Sequence, residues 1–307
     1  MMYENNYFNN FMWKENYKCL NIYKNILYNN YPFLEEIWKS YNFDKDFEVS
    51  PGNTQISSLC NDKIAYRDNN IVNHKNVCKK LLRNLKELYH SSYGSDDFYQ
   101  HCNNLNNWLY YEIKQFKLVD SIINDIFDKS VEIVPKISRK FECPYFSFNS
   151  GFFETDTLAA LRIFNNNSNN IKDVLAKKCD SHNCPCQKFV HEFVNLYKSM
   201  NRKYCSDGKN DSPTYKRTCD IVNEFNKLYI SYIYTEIGEK HKFPDLSSNT
   251  ITNSIDGCPS DKNSNDSSSD KHDQSTSFLT QEVPHAIGAI AGIPPVLALI
   301  YKVIILI

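Results

Sequence analysis

The chain has 307 residues, 35 Lys+Arg against 36 Asp+Glu, and a formal net charge of −1. That length can bury a sizeable core, and the balanced charge argues against a dedicated nucleic-acid binder, which needs a surplus of Lys and Arg against phosphate. Eight glycines are few for phosphate-cradling loops, and 38 asparagines, with abundant Lys, Ile and Tyr, reflect A/T-rich codon usage before they reflect structure.

The N-terminus, MMYENNYFNNFMWKENYKC, lacks a charged region followed by an apolar one, so no cleavable signal peptide is expected. Helical spacing begins with Tyr17, Leu20, Tyr23 and Leu27, and resumes behind Pro32 with Phe33, Ile37, Trp38 and Tyr41. From Val77 to Tyr89 one face carries Leu81, Leu82, Leu85 and Leu88. Asp96 and Asp97 read as a cap for the stripe Phe98, Cys102, Leu105, Leu109 and Ile113. Asp120 opens another through Ile123, Ile126, Phe127 and Val134, stopped at Pro135. Lys188 to Tyr204 and Tyr215 to Ile237 show the same period. Strict alternation is scarce, so residues 1–245 are predicted to form an all-α head of roughly six to nine helices. On such stripes the Tyr and Phe side chains are core residues.

Residues 246–284 are rich in Ser, Asp and Asn, with six acids against Lys262 and Lys271. So little apolar surface cannot offset the entropy of ordering, which predicts a flexible stalk. The end of the chain is different. From Ala286 to Ile307 it reads AIGAIAGIPPVLALIYKVIILI, with Lys302 the single charge. As a helix this spans roughly 33 Å, against about 30 Å of bilayer hydrocarbon. Its Ile, Leu and Val residues favour insertion by about 4–7 kcal/mol, more than the ~3 kcal/mol that one lysine costs. Residues 285–307 are therefore predicted to be a transmembrane helix with the lipid bilayer as its partner.

Eleven cysteines are many for a reducing compartment. The first ten can form bridges in an oxidising one, leaving Cys258 in the stalk as the odd one, and spacing alone assigns no pairs. Cys184 and Cys186 are too close to bridge each other easily and are expected to reach different helices. The run CDSHNCPCQKFVH also offers Cys179, His182, Cys184, Cys186 and His191, enough ligands for tetrahedral zinc, though in none of the common paired spacings. Disulfides, zinc and free thiols all stay open. His191-Glu192 begins HEFVN and lacks the second histidine of a helical zinc protease. Neither a GxxxxGK loop, a GxGxxG turn nor a GxSxG elbow occurs. No catalytic, cofactor-binding or metal site is assigned, and neither a small-molecule substrate nor nucleic acid is expected as a partner. Sequons begin at Asn166, Asn210 and Asn265, about the number that so many asparagines generate by chance.

Three stretches, Gly288 to Lys302 (GAIAGIPPVLALIYK), Cys78 to Leu85 (CKKLLRNL) and Leu105 to Tyr111 (LNNWLYY), resemble the Plasmodium interspersed repeat (PIR) family of malaria parasites, most closely its vir-type members. The overall plan is similar too: no signal peptide, a cysteine-bearing helical head, a low-complexity stalk and one late span. The resemblance implies a variant antigen exported to the surface or internal membranes of an infected red cell. There it would serve immune evasion and adhesion to host receptors, with receptors or antibodies meeting the head. It also implies a family-specific export route in place of a signal peptide. The family usually continues past its Tyr-Lys pair into a basic tail, whereas here Tyr301-Lys302 leads to VIILI, an expectation of essentially no cytoplasmic tail. Arg83-Asn84-Leu85-Lys86-Glu87 matches the RxLxE export-cleavage pattern of these parasites, yet it lies mid-helix and far from any hydrophobic signal. Two other readings stand beside the antigen. An intracellular tail-anchored scaffold would keep its thiols reduced, and an enzyme has only the Cys/His cluster to support it. A lipid-anchor signal at the C-terminal end is a subsidiary option.

Overall fold

The computed structural model describes residues 37, 39–64, 70–148, 151–179, 184–206, 212–247 and 255. The chain divides into two units, Met1–Ile251 and Thr252–Ile307. The account below concerns the first; the predicted stripe from Tyr17 to Leu27, the stalk beyond residue 247 save residue 255, and the predicted span lie outside the described residues. Among those residues the secondary structure is entirely helical, and no helix is long and apolar enough to cross a membrane.

A 3₁₀ turn, Pro51–Asn53, leads into α1 (Thr54–Ser58), which widens into a π-helical turn at Leu59–Lys63. Helix α2 (Ile71–His90) buries the predicted leucine face, with Leu81 and Leu82 wholly inaccessible. Helix α3 (Ser95–Phe116) begins at Gly94. Asp96 and Asp97 are not its cap, as the sequence suggested. They occupy the first turn, where their charge complements the positive end of the helix dipole. Helix α4 (Asp120–Ile133) ends one residue before Val134, as Pro135 requires. An extended segment then returns along α3, leading to α5 (Thr155–Asn166) and α6 (Ser168–Lys178). The last pair is α7 (Cys184–Met200), continued by a π-turn at Asn201–Cys205, and α8 (Pro213–Leu228), continued by a π-helix at Tyr229–Gly238 and a final turn at Glu239–His241.

Packing follows chain order. Helix α2 lies against α3 and α4 over a core that includes Leu85, Leu88, Phe98, Leu105, Leu109 and Ile126. Helix α3 also packs on α5, which in turn packs on α7 and α8. The second core is aromatic. Phe164 lies 4.8 Å from Phe225 and 5.1 Å from Phe193, while Tyr229 stacks on Phe225 at 5.6 Å between centroids. Held between the two cores, α3 is buried on successive residues from Asn104 to Tyr110.

Scarcity of glycine shows in the caps. Helix α3 ends with Lys117 in the left-handed region (φ 53°), the Leu118 N–H reaching back to the Ile113 carbonyl at 3.1 Å. The final turn ends the same way at Lys242 (φ 56°), with Phe243 N–H on the Gly238 carbonyl at 2.9 Å. Both are Schellman closures with lysine at the position that glycine usually fills, and each buries the apolar residue that follows.

Candidate functional site

The cysteines are the first surprise of the geometry. Cys60 joins Cys78, Cys102 joins Cys143, Cys179 joins Cys186, and Cys205 joins Cys219. Cys184 is disulfide-bonded as well. Two of the pairs use one device: a cysteine in a π-turn closing a helix (Cys60, Cys205) bonds to a cysteine about two turns into the next helix (Cys78, Cys219). The pair Cys179–Cys186 joins the end of α6 to the first turn of α7. Cys186 therefore reaches a residue only seven positions back, while Cys184 is bonded elsewhere.

This divides the Cys/His cluster read from the sequence. Sulfurs in disulfides are not thiolates and do not ligate zinc. His182 lies outside the described residues. His191 is half-buried on α7, its pKa lowered by desolvation and then by the Lys198 charge. Among the described residues no three His, Cys, Asp or Glu side chains converge as metal ligands.

The RNLKE stretch turns out to be part of the scaffold. Arg83 is 6% exposed and Leu85 1%. The Arg83 guanidinium donates to the Phe43 carbonyl at 2.9 Å, to the Lys45 carbonyl and to Asn84 Oδ1 at 2.7 Å. Lys86 Nζ donates to the Gly52 carbonyl at 2.8 Å. A polar cleft of about 250 Å³ opens here, lined by Lys45, Asp46, Glu48, Arg83, Lys86 and Glu87. Two of its cations already serve backbone carbonyls of the 43–52 segment, so the cleft is a seam that holds chain to helix. A protease would have to unfold α2 to reach Leu85.

Asparagine does structural work that composition alone disguised. Asn104 on α3 and Asn167 between α5 and α6 exchange side-chain hydrogen bonds of 3.1 and 2.8 Å. Tyr41 donates to Asn167 Oδ1 at 3.3 Å, and Asn167 Nδ2 also reaches the Ile163 carbonyl at 2.8 Å. Asn106 donates to the Pro144 carbonyl at 3.1 Å and accepts from the Phe146 N–H at 2.8 Å, pinning the extended segment along α3. Arg162 stacks over Phe146 at 3.7 Å and donates to Asn103 at 3.0 Å; burial lowers its pKa to about 10. The sequon at Asn166 is closed to a transferase in the fold, because its Nδ2 is inaccessible and Asn167 and Ser168 are buried.

His101 is the one titrating group on this seam that matters near neutral pH. Its ring meets Tyr41 edge-on at 5.2 Å, Phe43 at 5.1 Å and Tyr93 at 5.5 Å. Desolvation in this aromatic box lowers its pKa from 6.5 to about 4. The neutral ring is thus favoured by the fold, so its contribution is complete above the unfolded value of 6.5 and declines as pH falls toward 4. Discounted for partial exposure, the loss by pH 5 is expected to be about 1–2 kcal/mol. Urea melts at pH 7 and pH 5 check this: His101→Phe should lose correspondingly less stability between the two than the parent chain.

A helical, disulfide-stapled domain with polar seams between its helices, and with cations and cysteines engaged in structure, is the class of protein these residues define. The family described as Plasmodium vivax Vir protein matches residues 38–272, and the chain belongs to that family. No curated protein and no solved structure matches the chain.

Proposed function

We propose that this chain is a membrane-anchored variant surface antigen of an infected red cell, serving antigenic variation and adhesion to host receptors without catalysis. In this reading, residues 1–245 are the head, 246–284 the stalk and 285–307 the single span. Family membership supports the antigen class. The observation that supports this sidedness is the set of four disulfides, three of them between buried cysteines, which form and persist in an oxidising space and not in reducing cytosol. A tail-anchored scaffold with its head in the cytosol would need those sulfurs as thiols.

Protease shaving of intact infected cells, followed by detection with a head-directed antibody, tests the reading. The head should be removed from intact cells, and alkylation without reductant should leave the cysteines of the four pairs, and Cys184, unlabelled. A head protected in every intact compartment, with its thiols freely alkylated, would select the scaffold instead.

A further inference from the structure

Of the four pairs above, three are sealed: Cys60, Cys78, Cys102, Cys143, Cys179 and Cys186 are all buried. Cys205 and Cys219 are both partly exposed. Their surroundings differ as well. Arg202 and Lys203 precede Cys205, Lys216 and Arg217 precede Cys219, and all four are exposed. The acids close in sequence or contact are Asp207, two residues past Cys205, Asp220, beside Cys219, and Glu154, which pairs with Lys203, so the four cations outnumber them by one. An anionic thiolate is drawn to such a site, and the cations stabilise the thiolates that cleavage releases, which makes a disulfide more oxidising.

The bond also clips a strained junction. Glu154, the residue before α5, sits in the left-handed region at φ 43°. Lys203 and Tyr204 of the π-turn hold it there, Tyr204 donating to Glu154 Oε1 at 3.0 Å while its ring stacks on Phe153 at 4.5 Å. From α8, Thr218 Oγ1 accepts the Phe153 N–H at 3.1 Å. The two elements that grip residues 153–154 are thus the two that Cys205–Cys219 joins.

We infer that Cys205–Cys219 is a thiol-reducible clip, opened by anionic low-molecular-weight thiols, that governs how firmly the Phe153–Glu154 junction is held against α8. The chemistry balances with two thiols of the glutathione class. One thiolate attacks a cysteine sulfur, forming a mixed disulfide and releasing the other cysteine as a thiolate. A second thiolate then attacks the mixed disulfide, freeing the first cysteine. The products are two cysteine thiols and one oxidised glutathione, the thiolates taking protons from water. Phe164, Phe193 and Phe225 hold the aromatic core together through their own ring contacts, so opening is expected to be local.

The full chain, purified in detergent and treated with millimolar glutathione at neutral pH, provides the test by differential alkylation and peptide mass spectrometry. Cys205 and Cys219 should become labelled about 10-fold faster than the cysteines of the three buried pairs. Tryptic cleavage after Lys216 and Arg217 should rise in parallel while the near-ultraviolet circular dichroism is kept. Lys216→Gln with Arg217→Gln should slow the reaction severalfold with glutathione and by less with dithiothreitol, whose attacking thiolate carries less negative charge. Uniform resistance of all four pairs, or reduction only together with loss of the near-ultraviolet signal, would overturn the inference. A Cys205→Ser, Cys219→Ser variant that stays folded yet resists trypsin at these sites would overturn its conformational half.

Discussion

Replacing Cys102 and Cys143 together by alanine is expected to lower the stability of the folded head by about 4 kcal/mol, from the chain entropy that a loop of 41 residues regains when its ends are released. Within that loop lies all of α4, and its far end is the extended segment that Asn106 pins to α3. Other contacts hold the same segment. Tyr145 donates to Asp120 at 2.7 Å, Ser147 to the other oxygen of that carboxylate at 2.8 Å, and the Cys143 N–H to Tyr89 Oη at 3.1 Å. The variant should therefore fold to the same structure, with a melting temperature lower by about 10 °C. The same substitution at Cys179 and Cys186, which close only seven residues, should cost about 2 kcal/mol. Thermal melts of the two variants decide the matter. A larger loss from the short loop would mean that native-state contacts, not chain entropy, set the value of these bridges.

The second large effect is expected at Asn167. Its side chain is fully buried and joins α3, the 41 segment and the end of α5 through four hydrogen bonds. Asn167→Ala leaves the Asn104 carbonyl oxygen without its donor and removes the acceptor of Tyr41, at a cost of about 3 kcal/mol. Asn167→Asp keeps the shape but sets a carboxylate against Asn104 Oδ1 in a dry seam, which should be at least as costly at neutral pH. A double-mutant cycle with Asn104→Ala should return a coupling of about 1–2 kcal/mol. Additive losses would show that the two amides act independently and that the reciprocal pair contributes nothing of its own.

Helices α2, α3 and α4 could be read from the sequence because their apolar residues recur cleanly and their ends carry Gly94, Asp120 and Pro135. Helices α5 and α6 could not. The run Asn165-Asn166-Asn167-Ser168-Asn169-Asn170 has poor helix propensity and reads as a loop, yet most of it is helical. Some of its amide groups find partners far away in sequence, such as the Ile221 carbonyl that Asn165 Nδ2 reaches at 3.0 Å, while Asn165 Oδ1 and Asn166 Nδ2 are buried without one. The π-turns were equally hidden, since one extra residue per turn breaks the 3.6 period on which the reading rests. Helix α7 starts earlier than its stripe implied because Pro185 sits in the first turn, where it costs no hydrogen bond. Cysteine pairing depended on which helices meet, and period alone does not say that.

The enclosure of the middle of α3 decides where this chain can tolerate substitution. Its stretch from Asn104 to Tyr110, buried on successive residues between the two cores, leaves no position on which a new side chain could be displayed. The outward faces of the rim helices have no such restriction. Whatever meets this domain from outside touches the part with the fewest packing constraints, while the part that keeps the shape stays out of sight.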